Sequence, residues 1–313
     1  LRCSAGIGLC YIIIGLHAQV EQKKLEEIQQ SQMVAGNADS TITVLNEDSL
    51  RQVQMKEAFG IFSDFTTGEN EKINLKNDLV SLSFSSKGGA LTEATLNKYK
   101  THDSLPLTLF DEKDNEYGFI FKTGGRIVNT TDLFFKPIAG KDEKSVTMRL
   151  DFGNGKFFDL VYTLPEDSYM VKMDIRQKGM ETILPGNTAS LDLFWNQNLR
   201  SQEKGRMFEE RNSALYYKFV GSDVDHLSES KDEQETISLG LKWIGYKNQF
   251  FSSALIPDGK FNGALIRSGM NNDPAYLKNF HTETTVDYNP ADNNGPGFLT
   301  GCDSEGNLTS LPQ

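Results

Sequence analysis

Four histidines and three cysteines are the side chains of this 313-residue chain best equipped for acid–base, nucleophilic or metal chemistry. His17 follows an apolar run, His102 lies in the polar turn Lys100-Thr101-His102-Asp103, and His226 closes the acidic loop Asp223-Val224-Asp225-His226. Only His281, two residues before Glu283, falls in a strand-like stretch. General acid–base work needs two groups converging on one cleft. None of these spacings enforces that, so no catalytic residue is expected. Cys3 and Cys10 bracket six apolar-segment residues without a histidine pair, and Cys302 stands far away. Neither a zinc site nor a disulfide framework follows. Gly153-Asn154-Gly155 before Lys156 and Phe157 reads as a hairpin, not a phosphate loop. The acidic run 111–116 lacks the glycine and terminal glutamate of a calcium loop. No cofactor and no metal are expected.

Recognition chemistry is better represented. Arg200, Lys204, Arg206 and Arg211 lie within twelve residues of an otherwise acidic chain, followed by Tyr216 and Tyr217. Arg and Tyr are favoured at interfaces, so Arg200, Lys204, Arg206, Tyr216 and Tyr217 form a candidate partner-binding surface. The alternative is local salt bridging, because Glu203, Glu209 and Glu210 are interleaved. A second cluster, Trp243, Tyr246, Phe250 and Phe251, reads as core, with a groove for an extended peptide or lipid chain as the alternative. The formal net charge of −11 argues against a nucleic-acid partner, since phosphate binding draws on clustered cations.

The elements that must position these groups read mostly as strands. Leu79 to Ser85 alternates at period two and breaks at Gly88-Gly89. Further strands are expected at 117–121, 146–152, 157–164, 169–175, 191–195, 237–241 and 264–266, and Asn154-Gly155 is the strongest hairpin signal. The charged stretch 200–212 reads as a short helix or active loop. Short strands punctuated by Gly, Asn and Asp imply an antiparallel sandwich over residues 60–290. Residues 1–18 hold the run Ala5 to Leu16, shorter than the ~20 residues of a full membrane helix, and read as a signal-anchor or truncated transmembrane segment. Residues 19–59 read as a polar flexible linker, and 291–313 as a polar tail.

Four blocks in order resemble the periplasmic domain of the YidC (Oxa-type) membrane protein insertase family, Bacteroidetes branch. They are Asn77-Asp78-Leu79-Val80 through Gly88-Gly89 with Leu96, Tyr99 and Pro106-Leu107-Thr108-Leu109-Phe110; Phe158 to Tyr162 with Leu164, Asp167, Tyr169 and Val171; Trp195 with Gln202 to Arg206 and Tyr216-Tyr217; and Trp243-Ile244-Gly245-Tyr246 through Ile256-Pro257.

The resemblance implies a twisted antiparallel super-β-sandwich of the galactose-mutarotase type, held on the periplasmic face of the bacterial inner membrane through the N-terminal anchor. It implies an accessory module, not an enzyme, that binds and positions, with secretion translocon components and nascent membrane proteins as partners. The family's five-helix insertase core is expected to lie outside this chain, either because the chain is a fragment or because the gene is frame-disturbed. The rival expectation is a periplasmic carbohydrate-binding or mutarotase-like protein, which a cleft holding His281 or His226 opposite a carboxylate would favour.

Overall fold

Leu191, Leu193, Trp195, Gln197 and Leu199 take alternate positions of a single strand, Ser190–Arg200, and all five side chains are buried. The same period-two burial repeats along the chain and builds an all-β fold. The computed structural model describes residues 47–140 and 142–303. The expected anchor at 1–18, most of the expected linker, Cys3, Cys10, His17 and residues 304–313 lie outside the described residues.

A helix, α1 (Glu47–Phe59), precedes the sheets and buries none of its described side chains. Phe62, in the 3-10 turn that follows, is the first buried residue among those described. β1 (Lys72–Lys76), β2 (Val80–Ser85), β3 (Ala90–Lys100) and β4 (Pro106–Phe110) then form a four-stranded sheet in sequence order. The larger assembly comprises β5 (Asn115–Thr123), β6 (Arg126–Asn129), β7 (Lys136–Ala139), β8 (Ser145–Gly153), β9 (Lys156–Thr163), β10 (Met170–Lys178) and β11 (Ser190–Arg200). After the short helix α2 (Arg206–Arg211) it continues with β12 (Ala214–Phe219), β13 (Val224–His226), β14 (Glu233–Ile237), β15 (Leu241–Lys247), β16 (Ser252–Pro257), β17 (Phe261–Met270), β18 (Tyr276–Asp287) and β19 (Asn294–Asp303).

Its strands run in the order β6-β5-β11-β18-β17-β15-β16-β19-β10-β9-β8-β7, and every pairing is antiparallel. The link between β17 and β15 is the single pair Leu241↔Phe261, and the path folds there into two facing layers. Aromatic rings meet across the gap: Phe121 on Phe158 at 5.0 Å, Phe119 on Phe298 at 5.8 Å, and Trp195 stacked on Tyr246 at 3.7 Å. The expected antiparallel sandwich is the observed fold.

Three local expectations need comment. The Asn154-Gly155 turn joins β8 to β9 with φ of 53° and 75° at its two residues, the left-handed pair that a two-residue hairpin demands. The expected strand 237–241 is instead a turn between β14 and β15. Ile237 and Leu241 are buried in different strands against β17, while Leu239 between them is exposed. The expected tail also needs correction, because residues 294–303 form β19, inserted between β10 and β16. Its Gly295-Pro296-Gly297 start imitates a loop. A Cβ on Gly297 would press on Asp258 and Asp174, and Pro296 falls where the pairing with β10 skips a residue between Asp174 and Arg176. A proline is tolerated at such an irregularity because no ladder hydrogen bond is required there.

The small sheet is tied to the sandwich by a buried relay. The Leu91 N–H donates to the Tyr117 phenol (3.0 Å), Tyr117 donates to Tyr162 (2.7 Å), and Tyr162 donates to the Gly89 carbonyl (2.8 Å). Gly89 has φ +63°, and a Cβ there would lie 2.9 Å from the Phe135 ring, so the turn needs glycine on both counts. Burial pushes the Tyr117 hydroxyl up to about 12 and Tyr162 well above the ordinary phenol range. A group raised in the folded state stabilises fully below its unfolded value and loses that contribution as pH climbs through the folded one. Thermal midpoints should therefore fall as pH rises from 10 towards about 12. Tyr117→Phe, less stable at neutral pH, should show a shallower fall over that window, which calorimetry across pH would measure.

Candidate functional site

The candidate surface begins where β11 ends. Its pairing with β18 shifts register between Leu199 and Arg200, which turns the Arg200 guanidinium onto the β4–β5 loop. There Arg200 binds Asp111 at 2.6 Å through one terminal nitrogen and Asp114 through Nε. Burial alone raises the Asp111 carboxyl, but the Lys113 backbone N–H and Arg200 outweigh it and leave the group lowered. In Asp114, whose side chain is buried, desolvation prevails over Arg200 and the carboxyl is raised. Arg200 loses to burial but gains more from the two aspartates, and is raised.

The next residues coil around Glu209. Its carboxylate is fully buried and accepts from the Gln202 N–H (3.0 Å), the Glu203 N–H (3.2 Å) and the Ser201 hydroxyl (3.0 Å). Burial raises its pKa against the pull of those donors. Arg206 donates to the Asn271 and Asp273 carbonyls and pairs with Glu210 one turn on, pinning α2 to the β17–β18 loop. Behind α2, the buried Lys278 ammonium donates to the Ser213 and Glu229 carbonyls, and burial lowers its pKa.

The five expected surface residues therefore divide. Arg200 and Arg206 are structural cations, engaged by carboxylates and carbonyls of neighbouring loops. Tyr217 is buried and donates to Glu235. Tyr216 is half-buried, stacked on His226 with Lys247 over its ring and its hydroxyl on Glu229. Only Lys204 of the five is exposed. The reason is electrostatic: paired cations need less water than free ones, so Asp111 and Asp114 draw Arg200 inward, and Glu210 with the Asn271 and Asp273 carbonyls draws Arg206 inward. The possible groove is corrected as well. Trp243, Tyr246 and Phe251 are buried in the core, Tyr246 bonded to the Trp195 carbonyl and Thr282, and only Phe250 faces solvent.

Sequence reasoning missed the exposed apolar residues. On α2, Met207 and Phe208 are 68% and 64% exposed, Leu105 in the β3–β4 loop is 60% exposed, and Phe250 is 46% exposed. Their signal in the sequence is weak: a Met-Phe pair in a charged segment too short to show a helical stripe.

A polar cleft of about 560 Å³ lies between the β2–β3 turn, the 111–116 loop and β11. Asn70, Asn115, Asn196, Gln197 and Asn198 contribute to its wall, and the buried Gln197 Oε1 has no partner among the described residues. His281 is not in that wall. It sits on β18 between Asn196 and Glu283, 2.9 Å from the latter, and His226 stands exposed on β13.

The sequence that builds these elements matches a known family. The model of the YidC periplasmic domain aligns with residues 72–294. The chain belongs to this family. The membrane protein insertase YidC of Parabacteroides distasonis is 40% identical over 272 residues, covering 87% of this chain and 43% of the relative. The YidC of Porphyromonas gingivalis is 37% identical over 235 residues, covering 74% and 37%. The chain thus spans less than half the length of these YidC relatives. Among solved structures, a putative aldose 1-epimerase from Escherichia coli aligns over 75% of this chain and all of its own, at 9% identity and a TM-score of 0.47. A galactose mutarotase-like protein from Lactobacillus casei aligns over 74% of this chain at 10% identity and a TM-score of 0.46. At such identities no residue's role carries across. Among the described residues no helix is long and apolar enough to cross a membrane.

Arg200→Glu should place a third carboxylate against Asp111 and Asp114. It should destabilise the domain by about 3 kcal/mol, the scale for breaking a largely buried pair. Lys204→Glu should stay within about 0.5 kcal/mol of the parent, as exposed substitutions do. Denaturant titration of both variants checks the division between structural and free cations.

Proposed function

We propose that this chain is the periplasmic part of an inner-membrane insertase and works as an accessory module that binds and positions, not as an enzyme. The family match across residues 72–294 is the observation that carries this reading. Its partners are nascent membrane proteins and components of the secretion translocon. Residues 1–18 anchor it, residues 19–46 and α1 form its polar stalk, and the insertase core belongs to polypeptide beyond the sandwich. The stalk is supported by α1, whose described side chains are all exposed or half-exposed and which meets the sandwich only near its C-terminal end, through Phe59 and the Glu57 carbonyl.

A second reading, recognition of a saccharide, is favoured by one observation. The cleft wall is rich in side-chain amides, Asn70, Asn115, Asn196 and Asn198 among them, which suits it to hydroxyl groups. Of the cleft's carboxylates, Glu112 is engaged by Lys72, Asp114 by Arg200 and Glu116 by Asn196, while Asp132 is unengaged among the described residues and no histidine shares the wall with it.

Photo-crosslinking residues at Lys204 and at Asn196, with the chain in inner-membrane vesicles during protein synthesis, test the two readings together. Adducts from the Lys204 position to nascent chains or translocon subunits are the expected result. Absence of adducts from either position, with sugar binding by calorimetry at millimolar or lower concentration, would replace the first reading by the second.

A further inference from the structure

We propose that the polar cleft between the β2–β3 turn and β11 binds an N-acetylated amino sugar, with the acetyl methyl in an apolar recess beside Tyr117. The proposal rests on the saccharide reading of the cleft and names the class of sugar. It leaves the accessory role of the module as it stands.

The recess is a space of about 20 Å³ between the small sheet and the sandwich. Phe110, Trp195 and Leu255 give it apolar walls, and Leu91, Asn115 and Tyr117 line both the recess and the larger cleft. A space of this size takes one water-sized group, such as a methyl. Its walls are stiff. Trp195 stacks on Tyr246 at 3.7 Å and donates through Nε1 to the Asn115 side-chain oxygen at 2.9 Å. Tyr117 is held between the Leu91 N–H and the Tyr162 hydroxyl. Walls fixed in this way need little ordering on binding.

The polar atoms at the rim have unused capacity. Asn115 is 6% exposed, and its Nδ2 makes one contact, with the Leu91 carbonyl at 3.4 Å. A side-chain amide carries two N–H donors, so one of them has no acceptor among the described residues. The hydroxyl of Ser253, a buried residue of the recess wall, has no partner among the described residues either. An acetamido group answers both. Its carbonyl oxygen accepts from Asn115 and Ser253, while its methyl lies against Trp195, Phe110 and Leu255. A plain hydroxyl would offer the donors an oxygen but leave the apolar walls uncovered.

The rest of the cleft suits the sugar ring. Thr131, Asp132 and Asn198 line it with side chains that make no hydrogen bond among the described residues, and together they can donate to and accept from paired hydroxyls. Lys87 and Lys113 are matched in number by Glu116 and Asp132, while Glu112 and Asp114 are paired to Lys72 and Arg200. With its charges balanced, the cleft favours a neutral ligand over an ion.

Calorimetry and saturation-transfer NMR on the full chain compare N-acetylglucosamine, glucose and N-acetylalanine methylamide, the last as a peptide probe. N-acetylglucosamine should bind about tenfold tighter than glucose, the scale set by one buried methyl and one hydrogen bond. Its methyl protons should take up the most saturation. Ser253→Val, which fills the recess, should bring the two sugars to equal affinity while glucose binding persists. Should that variant fail to fold, methyl saturation in the parent still decides. Equal affinity of the parent for both sugars, or ring protons saturated more strongly than the methyl, would overturn the proposal and leave the saccharide reading standing. Binding of neither sugar would remove both, and binding of the peptide probe alone would reassign the cleft to polypeptide.

Discussion

The Tyr117–Tyr162 relay is the constraint on which the architecture turns. It places one phenol, Tyr162, in the interior and the other, Tyr117, beside the polar cleft, and satisfies both through the backbone of the β2–β3 turn, with a Leu91 N–H at one end and the Gly89 carbonyl at the other. Buried polar groups of this kind are tolerated only when every donor and acceptor is met. The relay thereby fixes where the four-stranded sheet sits on the sandwich and keeps Gly89 against the Phe135 ring. The polar cleft follows from that placement, since its walls are the β2–β3 turn on one side and β11 on the other.

A second polar centre organises the other end. Glu209 is an acid with no cation beside it, neutralised in effect by two backbone N–H groups and a hydroxyl. Arg200 takes Asp111 and Asp114, and Arg206 takes Glu210 and the Asn271 and Asp273 carbonyls. The outcome is a stiff cap on an acidic chain, in which most local charge is spent internally and Lys204 and Arg211 remain free.

Much of the fold was legible in the sequence because its signals are local. Period-two alternation marked β2, β8 and β11, and Asn154-Gly155 marked a turn that only small or left-handed-tolerant residues adopt. What was not legible depends on partners far away in the chain. Leu239 and Ile237 look alike in an alternating run, yet one is exposed and the other faces β17. Gly295-Pro296-Gly297 reads as a loop until Asp258 and Asp174 are seen to need the space a side chain would fill. The cation cluster was visible as composition, but which of its members turned inward depended on Asp111, Asp114 and Asn271, none adjacent in sequence. Lys278 gives no signal at all, because its two carbonyl partners lie 65 and 49 residues away.

The position of β19 carries a consequence for how the protein is made. β10 and β16 are neighbours of β19 on either side and do not pair with one another. Until residues 294–303 have been synthesised and are free to pair, that layer is split, with two unpaired strand edges facing each other across a vacant lane. Such edges invite pairing with other chains. The last strand among the described residues is thus the keystone of the sheet, and the layer cannot close until residues 294–303 are available.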